Sequence, residues 1–250
     1  MSVSSEELLQ TILLQVQKPV ALFVAVAVLS VVITGFYLLY SRGKHGNTVL
    51  ILGPSGSGKT TLFHKLRDGD KFNGFVTSME TNDDSFALHS EEGMPTRPVH
   101  IVDLPGHPRL RRKLELHVSP SLRGIVFLVD SADFIPRIRD TAEYLYEVLS
   151  NPTVVRARVP LLLGCNKCDL GAKAHTVEFI KKKLEKEIES LRSTRGALQG
   201  SAENQLPLAN AAEPFTFANC RNKISVAAVS ALLDGAGPAE SFIRSVVPAK

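Results

Sequence analysis

Thr48-Val-Leu-Ile-Leu52 runs directly into Gly53-Pro54-Ser55-Gly56-Ser57-Gly58-Lys59-Thr60. Five apolar or β-branched residues without polar alternation suit a strand buried on both faces, the kind found in parallel sheets covered by helices. The eight residues after it match G-x-x-x-x-G-K-[ST], a loop that leaves a strand and opens a helix. Its glycines let backbone N–H groups curl around an anion, and the helix that follows directs its positive end to the same place. Lys59 is expected at the β- and γ-phosphates of a nucleotide and the Thr60 hydroxyl on Mg²⁺, with Thr61 next to it.

Outward from this loop the same rhythm continues. Apolar runs at Val99–Leu104, Ile125–Val129, Pro160–Leu163 and Ile224–Val229 read as further strands. Helical patterns fill Thr60–Arg67, Arg137–Leu149, Thr176–Leu191 and a last stretch near Ala239–Val247. Phe86–Ser90 is expected to form a hairpin with Val99–Val102. Such alternation predicts an α/β fold over 47–250, a doubly wound, mostly parallel sheet with helices on both faces. One stretch, 193–222, carries Gly, Pro, Ala and Ser with little periodicity and is expected as a loop or partly disordered insertion.

Two more motifs follow strands. Asp103-Leu-Pro-Gly106 places a carboxylate where it can hold the Mg²⁺ shell and an N–H at Gly106 for the γ-phosphate. Asn166-Lys167-Cys168-Asp169 matches N-K-x-D. The Asp169 carboxylate accepts from guanine N1–H and the 2-amino group together, whereas adenine leaves it facing unpaired groups. Asn166 is expected to hold the loop and N7, and the Lys167 stem to cover base and ribose. Cys165-x-x-Cys168 is formally a redox or zinc pair as well, but no second pair completes it. Thr77 is the candidate for a threonine sensing Mg²⁺ and γ-phosphate, with Thr81 as the competing choice. Ser230-Ala231, after the last strand, offers backbone N–H groups to guanine O6, with Ser225 the alternative.

The composition narrows the classes. Hydrophobic residues at 44% and charged residues at 22% exclude wholesale disorder. A net charge of +4, with no Trp and 4 Tyr, argues against direct nucleic-acid binding. Three late cysteines make no disulfide framework and point to a reducing compartment. The mean hydropathy of +0.06 is high for a soluble chain, and 19–40, PVALFVAVAVLSVVITGFYLLY, explains it. A helix of about 20 apolar residues crosses a hydrocarbon core of about 30 Å, so 19–40 is expected as one transmembrane helix. It follows a short tail, 1–18, and precedes a basic linker, 41–46. Arg42, Lys44 and His45 outweigh Lys18, which is offset by Glu6 and Glu7, so the large domain is expected on the cytosolic side.

With the P-loop, D-x-P-G, N-K-C-D and S-A in this order, the domain resembles small GTPases of the Ras superfamily, nearest the Arf and Sar branch by the Thr60-to-Thr77 spacing. The apolar helix in front is unlike Arf and Sar. Together with Asp103-Leu-Pro-Gly-His107, Phe127–Ala132, Glu143–Leu149 and the long insertion, it makes the whole chain similar to the signal recognition particle receptor beta subunit family. That resemblance implies GTP as ligand with Mg²⁺, an endoplasmic reticulum membrane, and tethering of the receptor alpha subunit for protein targeting. It places His107 where a Gln usually orients the attacking water, and Ser55 at a P-loop position that is often Gly. Both residues imply slow or partner-dependent hydrolysis. The basic cluster Arg109, Arg111, Arg112 and Lys113 is read equally as a partner contact or as plain solubility. The competing functions are an Arf/Sar-like switch GTPase of vesicle traffic and an ATP-dependent P-loop enzyme. Asn166–Asp169 and the missing L-S-G-G-Q weigh against the second.

Overall fold

A computed structural model describes residues 28–35, 46–71, 80–93, 96–198, 208–209, 213–232 and 236–248. The chain divides into two compact units, Met1–His45 and Gly46–Lys250. In the first, residues 28–35 are helical, with Val28, Leu29, Val31, Val32 and Ile33 exposed. Among the described residues no helix is long and apolar enough to cross a membrane. The rest of the 19–40 run, the tail before it and 41–45 lie outside the described residues, as does Thr77.

Among the described residues the second unit is built on six strands: β1 (Thr48–Leu52), β2 (Asn82–Phe86), β3 (Val99–Asp103), β4 (Leu122–Asp130), β5 (Leu161–Asn166) and β6 (Ile224–Ala228). Their order is β2-β3-β1-β4-β5-β6. Only β2 runs antiparallel to its neighbour. β1 sits mid-sheet, Leu50 pairing with Val102 on one side and Ile125 on the other. All five of its residues are buried because both faces are covered. Successive side chains of a strand point to opposite faces, so Val49 and Ile51 join one core and Leu50 and Leu52 the other. The first core takes Leu62, Phe63 and Leu66 from α1 (Lys59–Asp68) and Ala239 and Ile243 from α4 (Gly237–Val246). The second takes Tyr144, Leu145 and Val148 from α2 (Phe134–Ser150) and Ile180, Leu184 and Ile188 from α3 (Val177–Leu198). Each helix thus buries the apolar stripe that its spacing sets out.

Two segments differ from the expectations. The hairpin partner of β3 is Asn82–Phe86 rather than Phe86–Ser90; Phe86 pairs with Val99 and His89–Glu91 forms a short 3₁₀ turn. Asn-Asp-Asp-Ser-Phe carries almost no apolar signal because it is an edge strand whose middle residues are exposed. Within the expected insertion, the described residues 193–198 and 213–222 are more ordered than their composition suggests. α3 runs on to Leu198, and Phe215 and Phe217 are buried in the second core. Glu189 Oε2 and Glu185 Oε1 on α3 accept from the backbone N–H groups of Phe215 and Phe217, each at 2.8 Å. An Ala/Ser/Pro-rich segment is held here by two aromatic anchors and two helix carboxylates.

Candidate functional site

The C-terminal ends of the parallel strands converge on a cavity of about 260 Å³. Its lining comes from four separated stretches: the loop after β1 (Ser55, Gly56, Gly58) with Lys59, Thr60 and Thr61; Leu104, Pro105 and Gly106 after β3; Asn166, Lys167 and Asp169 after β5; and Ala231 and Leu232 after β6. In an open α/β sheet this end, where the chain direction reverses across the sheet, is where ligands sit.

Asn166 joins the two halves of the site. It is buried, its Nδ2 donates to the Ser57 carbonyl at 2.8 Å, and its Oδ1 accepts from the Ala231 N–H at 3.0 Å. One amide therefore fixes the P-loop, the end of β5 and the loop after β6 relative to each other. Gly58 makes room for it. Its φ of +89° is a left-handed conformation, and a Cβ there would lie 2.2 Å from Asn166 Nδ2. Ser230 Oγ donates to Asp169 Oδ1 at 2.7 Å, so the expected base acceptor is positioned by the other expected base loop. Lys167 has φ +65°, uncommon for a non-glycine residue, and its ammonium pairs with Asp130 Oδ2 at 2.5 Å at the end of β4.

The phosphate side is equally tied. Lys59 is only 6% exposed and donates from Nζ to the Pro54 carbonyl at 2.8 Å. Burial lowers its pKa from 10.5 to about 8; Asp103 pulls upward and Arg111 adds repulsion. Asp103, 1% exposed, accepts at Oδ2 from Thr60 Oγ1 at 2.6 Å and from Asn82 Nδ2 at 2.9 Å. Burial raises its pKa, and the hydrogen bonds from Thr60 and Asn82 counter that effect. Its other oxygen, Oδ1, is buried with no partner. A hydroxyl and a buried carboxylate oxygen side by side form the oxygen donor set that a hard divalent cation takes, so these residues fit Mg²⁺. Gly106 packs on the P-loop so closely that a Cβ would lie 2.5 Å from the Gly53 carbonyl oxygen and 2.6 Å from Ser55 N.

The other expected residues lie as follows. Gly53, Pro54 and Ser57 are buried in the P-loop, and Ser230 flanks the lining residue Ala231. His107 is exposed and not part of the cavity lining; its Nδ1 accepts from the Arg109 N–H at 3.3 Å. Arg111, anticipated as a partner contact or as plain solubility, makes two contacts within the fold. Its guanidinium lies 4.4 Å from the Tyr144 ring centroid and pairs with Asp140 Oδ1 at 2.6 Å, clamping the segment after Gly106 onto α2. Cys165 is buried, which pushes its thiol up to about 12, and Cys168 is exposed.

Three contributors went unread in the sequence. Asn82 holds Asp103 from the polar edge strand, Asp130 holds Lys167, and Arg137 donates from Nη1 to the Ser55 carbonyl at 2.7 Å. Asp130 had a signal, a carboxylate at the end of an apolar strand like Asp103. Arg137 had none, because it reaches the P-loop from the first turn of α2.

Sheet order and site together define a P-loop domain of the small-GTPase fold class. A family model, the signal recognition particle receptor beta subunit, matches residues 44–224. The mouse protein of that name is 35% identical over 224 residues, covering 87% of this chain and 81% of its own length. The chain belongs to the signal recognition particle receptor beta subunit family. Among solved structures, that of the mammalian SRP receptor is 31% identical with a TM-score of 0.68, covering 80% of this chain and 99% of that one. The SRb-GTP/SRX complex from Chaetomium thermophilum is 25% identical with a TM-score of 0.61, covering 82% and 99%. Likeness to vesicle-coat GTPases is shorter: the small COPII coat GTPase SAR1B of Dictyostelium discoideum is 31% identical over 127 residues, 51% of this chain and 59% of its own. The Arf/Sar alternative is thus a distant relationship.

Proposed function

We propose that the chain is a membrane-anchored subunit that binds GTP with Mg²⁺ and, in that state, holds the receptor alpha subunit at the endoplasmic reticulum. The observation that carries this reading is the pair of hydrogen bonds made by the Asn166 amide, to Ser57 and from Ala231, which makes the phosphate loop and the base loops one cavity. Asp169 reads the guanine edge, Lys167 covers the base, and the backbone at Ser230 and Ala231 meets O6. Gly53 to Thr61 cradle the phosphates. Thr60 and Asp103, with Thr77 outside the described residues, would hold Mg²⁺, whose charge offsets that of the phosphates. The relative from Chaetomium thermophilum, solved with GTP and SRX, supports the partner and nucleotide assignments. The uncharged run 19–40 supports the anchor.

The hydrogen bond that His107 Nδ1 accepts from the Arg109 N–H supports slow hydrolysis in the isolated domain. A partner that favours the ordered Gly106 segment then retains the GTP form, and by linkage raises GTP affinity. The test has two arms. Membranes carrying the full chain are extracted at alkaline pH, where retention is expected and release overturns the anchor. The same chain, loaded with GTP or GDP, is then used to capture the alpha subunit. Tighter capture by the GTP form is expected, and equal capture in both states overturns the switch.

A further inference from the structure

At the end of the sheet opposite the nucleotide cavity, Arg156, Arg158, Arg221 and buried Val155 line a depression of about 650 Å³. Arg156 and Arg158 lie just before β5 and Arg221 just before β6. Two buried links lock the stretches together. Asn222 Nδ2 donates to the carbonyls of Val154 at 3.0 Å and Val159 at 2.9 Å, and the Leu161 N–H donates to the Lys223 carbonyl at 2.9 Å. The three arginines are exposed, as is Lys223. None of the three guanidinium groups has a hydrogen bond or ion pair among the described residues. By contrast Arg67, Arg111, Arg137, Arg139, Arg192 and Arg244 each pair with a carboxylate. Segments 151–160 and 218–223 contain no Asp or Glu. Like charges are therefore held together on a rigid frame without a counter-charge from these segments, an arrangement that repels itself unless an anion is present.

The position of this cluster names the anion. β1 begins at the same end of the sheet, and Arg123 on β4 donates from Nε to the Gly46 carbonyl at 3.3 Å. Strands about 4.8 Å apart put the starts of β4, β5 and β6 within roughly 10–15 Å of that of β1. In sequence the apolar run ends at Tyr40, and even a fully extended linker, at about 3.5 Å per residue, keeps the start of β1 within roughly 30 Å of it. We propose that Arg156, Arg158 and Arg221 form a docking surface for anionic lipid headgroups, which orients the nucleotide-binding unit with its cavity away from the bilayer. The inference rests on the anchor proposed above.

The test is hydrogen exchange on the full chain reconstituted into vesicles of phosphatidylcholine alone, or with phosphatidylserine added. Amides of 153–159 and 218–224 are expected to exchange at least about fivefold more slowly in the anionic vesicles, the factor that one arginine at an anionic surface supplies. The difference is expected to vanish at high salt and in the R156Q/R158Q/R221Q variant, which keeps its nucleotide affinity. Equal exchange in both lipids, with the chain retained through alkaline extraction, overturns this surface and leaves the anchor standing. Release at alkaline pH overturns the anchor itself. Equal protection by inorganic phosphate or an RNA oligonucleotide on neutral vesicles overturns the assignment to lipid.

Discussion

Nucleotide binding above neutral pH is expected to draw a proton onto the protein, and Lys59 is the group that takes it. Without phosphate the ammonium is buried, 6% exposed, and its pKa sits near 8 instead of 10.5. Phosphate oxygens against Nζ favour the charged form and raise that value. At pH 8.5 about three-quarters of the free protein has Lys59 neutral, so binding takes up about 0.75 proton; at pH 7 the figure is about 0.1. GTP affinity therefore falls as pH rises through 8, approaching about tenfold per pH unit until the bound-state pKa is reached. For the nucleotide-free fold the sign is opposite. The unfolded chain binds more protons than the folded one between about 8 and 10.5, so stability rises with pH across that window. Calorimetric titration with GTP and Mg²⁺, in two buffers of different ionisation enthalpy at pH 7.0 and 8.5, measures the uptake directly. The phosphates are fully ionised at the higher pH and contribute little. No net uptake at pH 8.5 would refute the account of Lys59 as a buried, partly neutral lysine awaiting phosphate.

Two substitutions probe the rest of the site. Gly106→Ala puts a Cβ 2.5 Å from a P-loop carbonyl, so the segment must move back; GTP affinity is expected to fall more than GDP affinity, and equal loss for both would show that Gly106 does not serve the γ-phosphate. Asp169→Asn exchanges a paired acceptor for one acceptor and one donor, at a cost of about 1.5–3 kcal/mol for guanine, and is expected to turn preference toward XTP in competition binding. Unchanged GTP preference would remove Asp169 from base recognition.

The parallel core was legible because burial on both faces leaves a continuous apolar run, as in β1 and β4, and the loops after such runs carried recognisable chemistry. What the sequence hid was of three kinds. An edge strand such as β2 needs no apolar pattern, since most of its side chains face water. Arg111 looks like a surface charge because its neighbours in sequence are basic, yet its partners, Tyr144 and Asp140, lie on another element. The order in 213–223 comes from Phe215 and Phe217 docking on α3, a long-range event in a segment of low periodicity. In the site, the motif residues were visible while their supports Asn82, Asp130 and Arg137 were not, because support is a matter of three-dimensional proximity.

The amide of Asn166 has a kinetic corollary. Its donor is used by Ser57 and its acceptor by Ala231, so neither loop can lift away without leaving a buried polar group bare, a loss of about 1–3 kcal/mol. Breathing motions on the base side and on the phosphate side are thereby geared together. A protein that prised up the loop at Ala231 would loosen the grip on the phosphates from the far end of the cavity, without ever touching them.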